Sequence, residues 1–410
     1  MTYKNKQLCK IRTITAFISL DSNKEEWKSE ILKAAAFCTD LSSELTDKSY
    51  TVQSLRIVTN PFGEYLDTDT LATAKEDLAY ITDILASIKT SSLRVRFAIG
   101  EAKTKEEITL LPELIKKFGD LCNVCVNVNN NQSDILDNEL IKNSAEVIQK
   151  ISKITPNGEG NFNFTVNFNC PPLIPYFPAS YHDKKLGNCF VIGLETPDLL
   201  LAVLKQQNTN NTASSHHDRH TSYYQVMHQA LQYHIDQIKQ VVEQRQFNNQ
   251  FIFRGFDSSA APSKDCSSMA EIYEEMGVEY FGASGTVEAS SLLTKVFKSI
   301  ENTQLVGFSG LMLALTEDTG LAKGTEHFNF DIRSLLTYSA VCGIGLDTVP
   351  IPGDTPLEKI SAIMRDTGTM AYRLNKSLTV RLFPSPGLNA GDMTRFSSDD
   401  LCNCLVLKVP

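Results

Sequence analysis

Runs rich in β-branched and aromatic residues alternate along this chain with amphipathic helical patterns, and that alternation limits the fold more than any other feature. Ten runs qualify as strands: 11–20, 51–59, 93–99, 123–128, 162–169, 188–194, 250–253, 304–308, 344–349 and 378–383. Helical patterns at 24–45, 68–88, 105–118 and 136–153 separate the early ones. Such order predicts βα units around a largely parallel sheet or barrel. The strict alternation Phe162-Asn163-Phe164-Thr165-Val166-Asn167-Phe168 predicts a strand with one wet face. Met227, Leu231, Ile235, Ile238 and Val242 form one apolar stripe, which predicts a helix over 222–247. Thr196-Pro197-Asp198 supplies a hydroxyl cap, a first-position proline and a first-turn acid for another.

The length of 410 residues allows several domains, but no linker or internal repeat divides the chain, so one domain over 1–410 is expected. The polar stretch 206–221 reads as a mobile surface insertion, its 208–220 part dispensable for folding. Hydrophobic residues at 42% and charged residues at 21% suit a globular core. A net charge of −9 argues against a nucleic-acid partner. No signal-peptide pattern follows Met1, and no apolar run reaches the length of a membrane span, so a cytoplasmic protein without a membrane partner is expected. Its ten scattered cysteines then read as thiols.

Neither of the two cysteine pairs makes a metal site. Cys122 and Cys125 have CxxC spacing without a second pair, and Cys402-Asn403-Cys404 has the wrong spacing. His216, His217 and His220 offer imidazoles, but in a polar stretch without a rigid scaffold, so no metal is expected there. Patterns for nucleotide loops, zinc proteases and α/β-hydrolases are absent from the sequence. Instead, turn-rich segments follow the strands and carry Asn60, His182, Glu195, Arg254, Asp257, Asp347, Asp354 and Asp392. In α/β barrels and open α/β sheets such loops build the active site.

Those segments also carry a resemblance. The stretch Val341-Cys342-Gly343-Ile344-Gly345-Leu346-Asp347-Thr348-Val349-Pro350-Ile351-Pro352-Gly353-Asp354, with those at 253–257, 177–182, 307–312 and 382–392, resembles the uncharacterised DUF711 family, also called UPF0210. The likeness starts near Ile11-Arg12-Thr13-Ile14 and covers nearly the whole chain. It departs from the family in the His/Asn-rich insertion at 208–220 and in Lys184-Lys185. It implies a ten-stranded α/β barrel of the pyruvate formate-lyase-like, glycyl-radical enzyme fold, often a homodimer, with no settled reaction. Radical chemistry is not expected, because the C-terminal strand Arg381-Leu382-Phe383-Pro384 has no matching glycine.

The residues themselves suggest an enzyme acting on a small polar or carboxylate-bearing metabolite without a cofactor, and an anionic ligand is expected. Arg254 would anchor the anion, with Asn60, Asp347 and Asp354 also on the substrate. His182 with Glu195 or Asp257 would move protons, and Cys342, beside the flexible Gly343 and Gly345, would be a nucleophile if His182 or Arg254 lowered its pKa. Each has a plainer reading: a buried thiol for Cys342, a loop-closing hydrogen bond for His182, a partner for Arg254 or a helix N-terminus for each carboxylate. On the catalytic reading His182, Glu195, Arg254, Asp257 and Cys342 surround one cavity. The rival is a non-catalytic metabolite-binding or regulatory protein using the same pocket.

Overall fold

A computed structural model describes residues 2–88, 93–131, 133, 135–210, 215–244 and 250–410. Nine strands form one sheet: β1 Lys10–Ile18, β2 Leu55–Thr59, β3 Val95–Glu101, β4 Asn123–Val128, β5 Phe164–Phe168, β6 Cys189–Glu195, β7 Ile252–Asp257, β8 Gly345–Pro352 and β9 Leu378–Ser385. Their order is β7-β6-β1-β2-β3-β4-β5-β9-β8. Strands β1 to β5 run parallel, while the pairs β6/β7 and β8/β9 are each internally parallel and join β1 and β5 antiparallel.

Eleven helices are described: α1 Lys24–Asp47, α2 Leu71–Ala86, α3 Lys105–Phe118, α4 Asn138–Ile154, α5 Pro197–Asn210, α6 His216–Gln244, α7 Met269–Glu275, α8 Thr286–Lys298, α9 Thr319–Glu326, α10 Ile332–Ser339 and α11 Leu357–Arg373. Alternation along the strands sorts the apolar side chains onto two faces. Ile14, Ala16, Ile57, Phe97, Phe190 and Ile192 join one large core with residues of the helices. Phe17, Val58, Ala98, Cys189 and Val191 face the other way and pack on Leu173 and Phe177. The segment around 173–182 therefore fills the inner side of the sheet. Its Pro175 carbonyl accepts from Thr15 Oγ1 (3.3 Å), and its Ala179 carbonyl from Asn167 Nδ2 (3.1 Å).

Several expectations need correction. Residues 304–308 form no strand, leaving nine, and β7 and β8 are not hydrogen-bonded to each other, so the sheet is not closed. Segment 304–315 nevertheless touches both edges: the Phe256 amide donates to the Gln304 carbonyl (3.0 Å), and the Leu315 amide to the Asp347 carbonyl (3.1 Å). Positive φ at Gly307 and Ser309 interrupts extended backbone there, and Asp257 captures the Phe308 and Ser309 amides. The polar face of β5 is not wet, since every residue from Phe164 to Phe168 is buried. The Nδ2 groups of Asn163 and Asn167 donate to Asn123 and Asn127 instead. The described parts of 206–221 are mostly helical, not open loop. Helix α5 runs to Asn210 and α6 starts at His216, while 211–214 lie outside the described residues. Asn208 is bound to Glu275 and Tyr223, so deleting 208–220 would cut packed contacts. The Thr196 hydroxyl has no partner, whereas Asp198 accepts from Lys10 and Ser267. The stripe on α6 is buried as expected.

All ten cysteines are thiols, Cys122 and Cys125 both buried. Among the described residues no helix is long and apolar enough to cross a membrane.

Candidate functional site

Three arginines stand near the start of the parallel strands. Pairing puts Thr15 beside Arg56 and Arg56 beside Arg96, on neighbouring strands β1, β2 and β3. A register shift between Ile11 and Thr13 lets Arg12 line the same interior space as Arg56. Arg56 is only 6% exposed. One of its terminal nitrogens donates to the Pro175 carbonyl (3.1 Å), and its guanidinium lies 4.8 Å from the centre of the Phe177 ring. Its Nε has no hydrogen-bond partner, and no carboxylate of the described residues lies within ion-pair distance of it. Burial first, then the Arg12 and Arg96 charges, push its pKa down to about 9.

The flanking arginines are better compensated. Arg12 lies 3.8 Å from Glu195 and donates to Gln53, and Arg96 lies 3.4 Å from Asp400. On β9, Arg381 donates from Nε to Asp347 (2.6 Å) and from a terminal nitrogen to Glu317. The Glu317 carboxyl is held above the usual carboxylate range by burial and by Asp347, with Arg381 opposing.

Two small cavities flank this group. One of about 50 Å³ is lined by Arg12, Arg56, Phe177, Glu317, Asp347 and Arg381 among others, and one of about 40 Å³ by Arg12, Arg56, Arg96, Asn123, Asn163 and Asp400 among others. Since a water occupies roughly 10–15 Å³ on this measure, each takes a few water-sized groups, such as the acid head of a ligand. A wider cleft of about 640 Å³ lies at the carboxyl ends of β3 to β5, among Glu101, Lys103, Asn127, Asn169, Cys170 and Tyr181. Burial raises the Glu101 pKa. That cleft is an amide-rich surface, where Asn127 and Asn169 already engage Asn167 and Asn375.

Of the residues singled out from sequence, Asp347 lines the larger of the two arginine-bordered cavities; the others divide. His182 and Arg254 lie toward one end of the sheet. His182 is buried, both ring nitrogens lack partners, and its amide donates to Thr59 at the end of β2. Burial, aided by the Arg254 charge, lowers its pKa to about 4, a neutral imidazole. Arg254 donates to the Leu186 carbonyl (2.8 Å). Glu195 and Asp257 lie at the other end, because Glu195 closes β6 and Asp257 pairs with Gly193. The length of β6, at roughly 3.3 Å per residue, puts about 20 Å between the two ends.

Glu195 binds Lys10 (3.1 Å) and Gln53 (2.8 Å). Asp257 accepts from the Ser259 amide and hydroxyl and from the amides of Phe308 and Ser309, although burial raises its pKa to about 6. Cys342 is buried and lines neither arginine-bordered cavity. Its glycine neighbour Gly343 approaches backbone, not open space: a Cβ there would lie 2.8 Å from Gly310 Cα. Asn60 accepts from the Leu20 amide and donates to Glu64, and Asp354 is exposed. The expected single cavity around His182, Glu195, Arg254, Asp257 and Cys342 is therefore not formed.

Sequence reasoning passed over Arg12, Arg56, Arg96 and Arg381 because they lie within strands, not after them. The signal was present: Leu55-Arg56-Ile57-Val58, Val95-Arg96-Phe97-Ala98 and Val380-Arg381-Leu382 each set an arginine inside an apolar run. An arginine there must face a partner or a ligand.

The chain is similar to UPF0210 proteins of Lactobacillus helveticus (27% identity) and a Thermoanaerobacter species (28%), each over 70% of this chain and 63% of the relative. These matches thus span less than two thirds of those relatives. A UPF0210 protein of Caldicellulosiruptor saccharolyticus is 26% identical over 94% of this chain and 88% of its own. Among solved structures, an anaerobic ribonucleotide reductase from Thermotoga maritima superposes with a TM-score of 0.45 at 9% identity, over 90% of this chain and 80% of that one. The family model described as Uncharacterised ACR (DUF711) matches residues 3–397, and the chain belongs to that family.

Proposed function

We propose that this chain is a cytoplasmic enzyme acting on a small carboxylate- or phosphate-bearing metabolite, held inside the sheet by Arg12, Arg56 and Arg96. The observation that carries this is Arg56, a buried guanidinium with, among the described residues, no partner for its Nε and no carboxylate partner, and with two like charges beside it. Such a group is costly without a counter-anion, and an arginine presents a planar fork suited to carboxylate or phosphate. Glu317, whose carboxyl is raised by burial, stands across the cavity with Asp347 and is placed to exchange a proton with a bound substrate. Proton transfer is favoured over thiol chemistry, because Cys342 is buried and lines neither arginine-bordered cavity. The same reading takes segment 304–315 as an irregular tenth strand that completes a barrel, and the protein as a homodimer.

Calorimetric titration with inorganic phosphate and with two- to four-carbon carboxylates tests the anion site. Binding should be lost in Arg56→Met and kept in Arg254→Met; binding lost only in the latter would move the site to the His182 end. If a bound acid is recovered unchanged after prolonged incubation, the binding-protein reading replaces the enzyme.

A further inference from the structure

Two of the three histidines that the sequence leaves without a scaffold, His216 and His220, acquire one in the fold. His216 and His220 are one turn apart at the start of α6, and their rings lie with centroids 4.0 Å apart, tilted by 40°. Glu288, in the first turn of α8, reaches both: its carboxylate lies 3.2 Å from His216 Nε2 and 3.9 Å from His220 Nδ1. One ligand atom from each residue falls within 4.8 Å of the others. We propose that His216, His220 and Glu288 bind a divalent transition-metal ion, zinc by preference, with water completing its coordination.

The chemistry suits that choice. Two imidazoles and one carboxylate are borderline-to-hard donors of the kind found around zinc with an open position. Bonds of about 2.0–2.1 Å in a tetrahedron set ligand atoms roughly 3.3 Å apart. The two histidine–glutamate distances are already near that figure, and a rotamer change of the exposed His216 closes the third. The remaining exposure of His216 and Glu288 gives the ion direct access from solvent. Bound there, zinc would pin the start of α6 to α8. The site is separate from the arginine-bordered cavities and stands or falls independently of their function.

The test is zinc titration of chelator-treated, full-length protein, by calorimetry and by cobalt(II) absorption. One equivalent should bind with a dissociation constant in the micromolar range or tighter. His220→Ala and Glu288→Gln should each weaken it at least tenfold, while circular dichroism shows the fold retained. His217→Ala, which removes the neighbouring imidazole, should leave affinity within twofold of the parent. Binding only above about 0.1 mM, or equal affinity in the His220→Ala variant, would overturn the site; the second result would assign the zinc to thiols elsewhere.

Discussion

Replacing Arg56 by methionine should make the unliganded protein more stable, which is unusual for a buried substitution. Burial and the neighbouring charges lower its pKa from near 12.5 to about 9. That difference corresponds to roughly 4–5 kcal/mol of unfavourable transfer for the charged side chain. Against it stand one hydrogen bond to Pro175 and the stacking on Phe177, each worth about 1 kcal/mol. Methionine keeps most of the apolar contact, so the net gain is about 2 kcal/mol. The sign with pH also follows. A base whose folded pKa is depressed weakens the fold at every pH below that value, so the gain should be constant from pH 6 to 8 and shrink only above pH 9. Urea unfolding measures it as a rise in midpoint without a change in slope. A loss of 2 kcal/mol or more would show that Arg56 is a satisfied structural residue, and the anion site would lose its main support.

Asp257→Asn should destabilise by about 3 kcal/mol, since four donors converge on that carboxylate. Because burial raises its pKa to about 6, the parent's advantage over this variant should shrink as pH rises from about 4 to 6; an advantage that grew over that range in urea unfolding would refute the assignment. Gly343→Ala should cost more than about 2 kcal/mol, because its Cβ would meet Gly310 Cα at 2.8 Å; unchanged thermal stability would show that the two loops part easily. His182 and His234, both lowered to about 4 by burial, should stay neutral at pH 6 by NMR. Their contribution to stability is complete above about pH 6.5 and is lost on acidification toward pH 4, and a ring titrating near 6.5 would contradict its burial.

Nine of the ten strands and the long helices were legible because hydrophobic periodicity is a local property. Segment 304–308 misled because its apolar residues satisfy the strand pattern, while Gly307, Ser309 and the distant Asp257 decide its backbone. The alternation in β5 was read correctly as two faces but assigned to the wrong solvent, since sequence does not show whether a polar face meets water or a lined interior. For the site, post-strand loops were a sound general guide that failed on direction. With β6 antiparallel to β1, the loops after Thr59 and after Glu195 leave opposite ends of the sheet. Asp347 lies inside the motif 341–354 and, on β8, borders the interior cavity. The partnership of Arg12, Arg56 and Arg96 depends on strand register, which no local pattern carries.

The most direct measurement is an anomalous difference map from crystals soaked in bromide, an anion small enough for either cavity. The proposal predicts a peak within about 3.5 Å of Arg56 Nε, between Arg12 and Arg96, absent from Arg56→Met crystals. Bromide on surface lysines with nothing beside Arg56 would contradict an anion site inside the sheet.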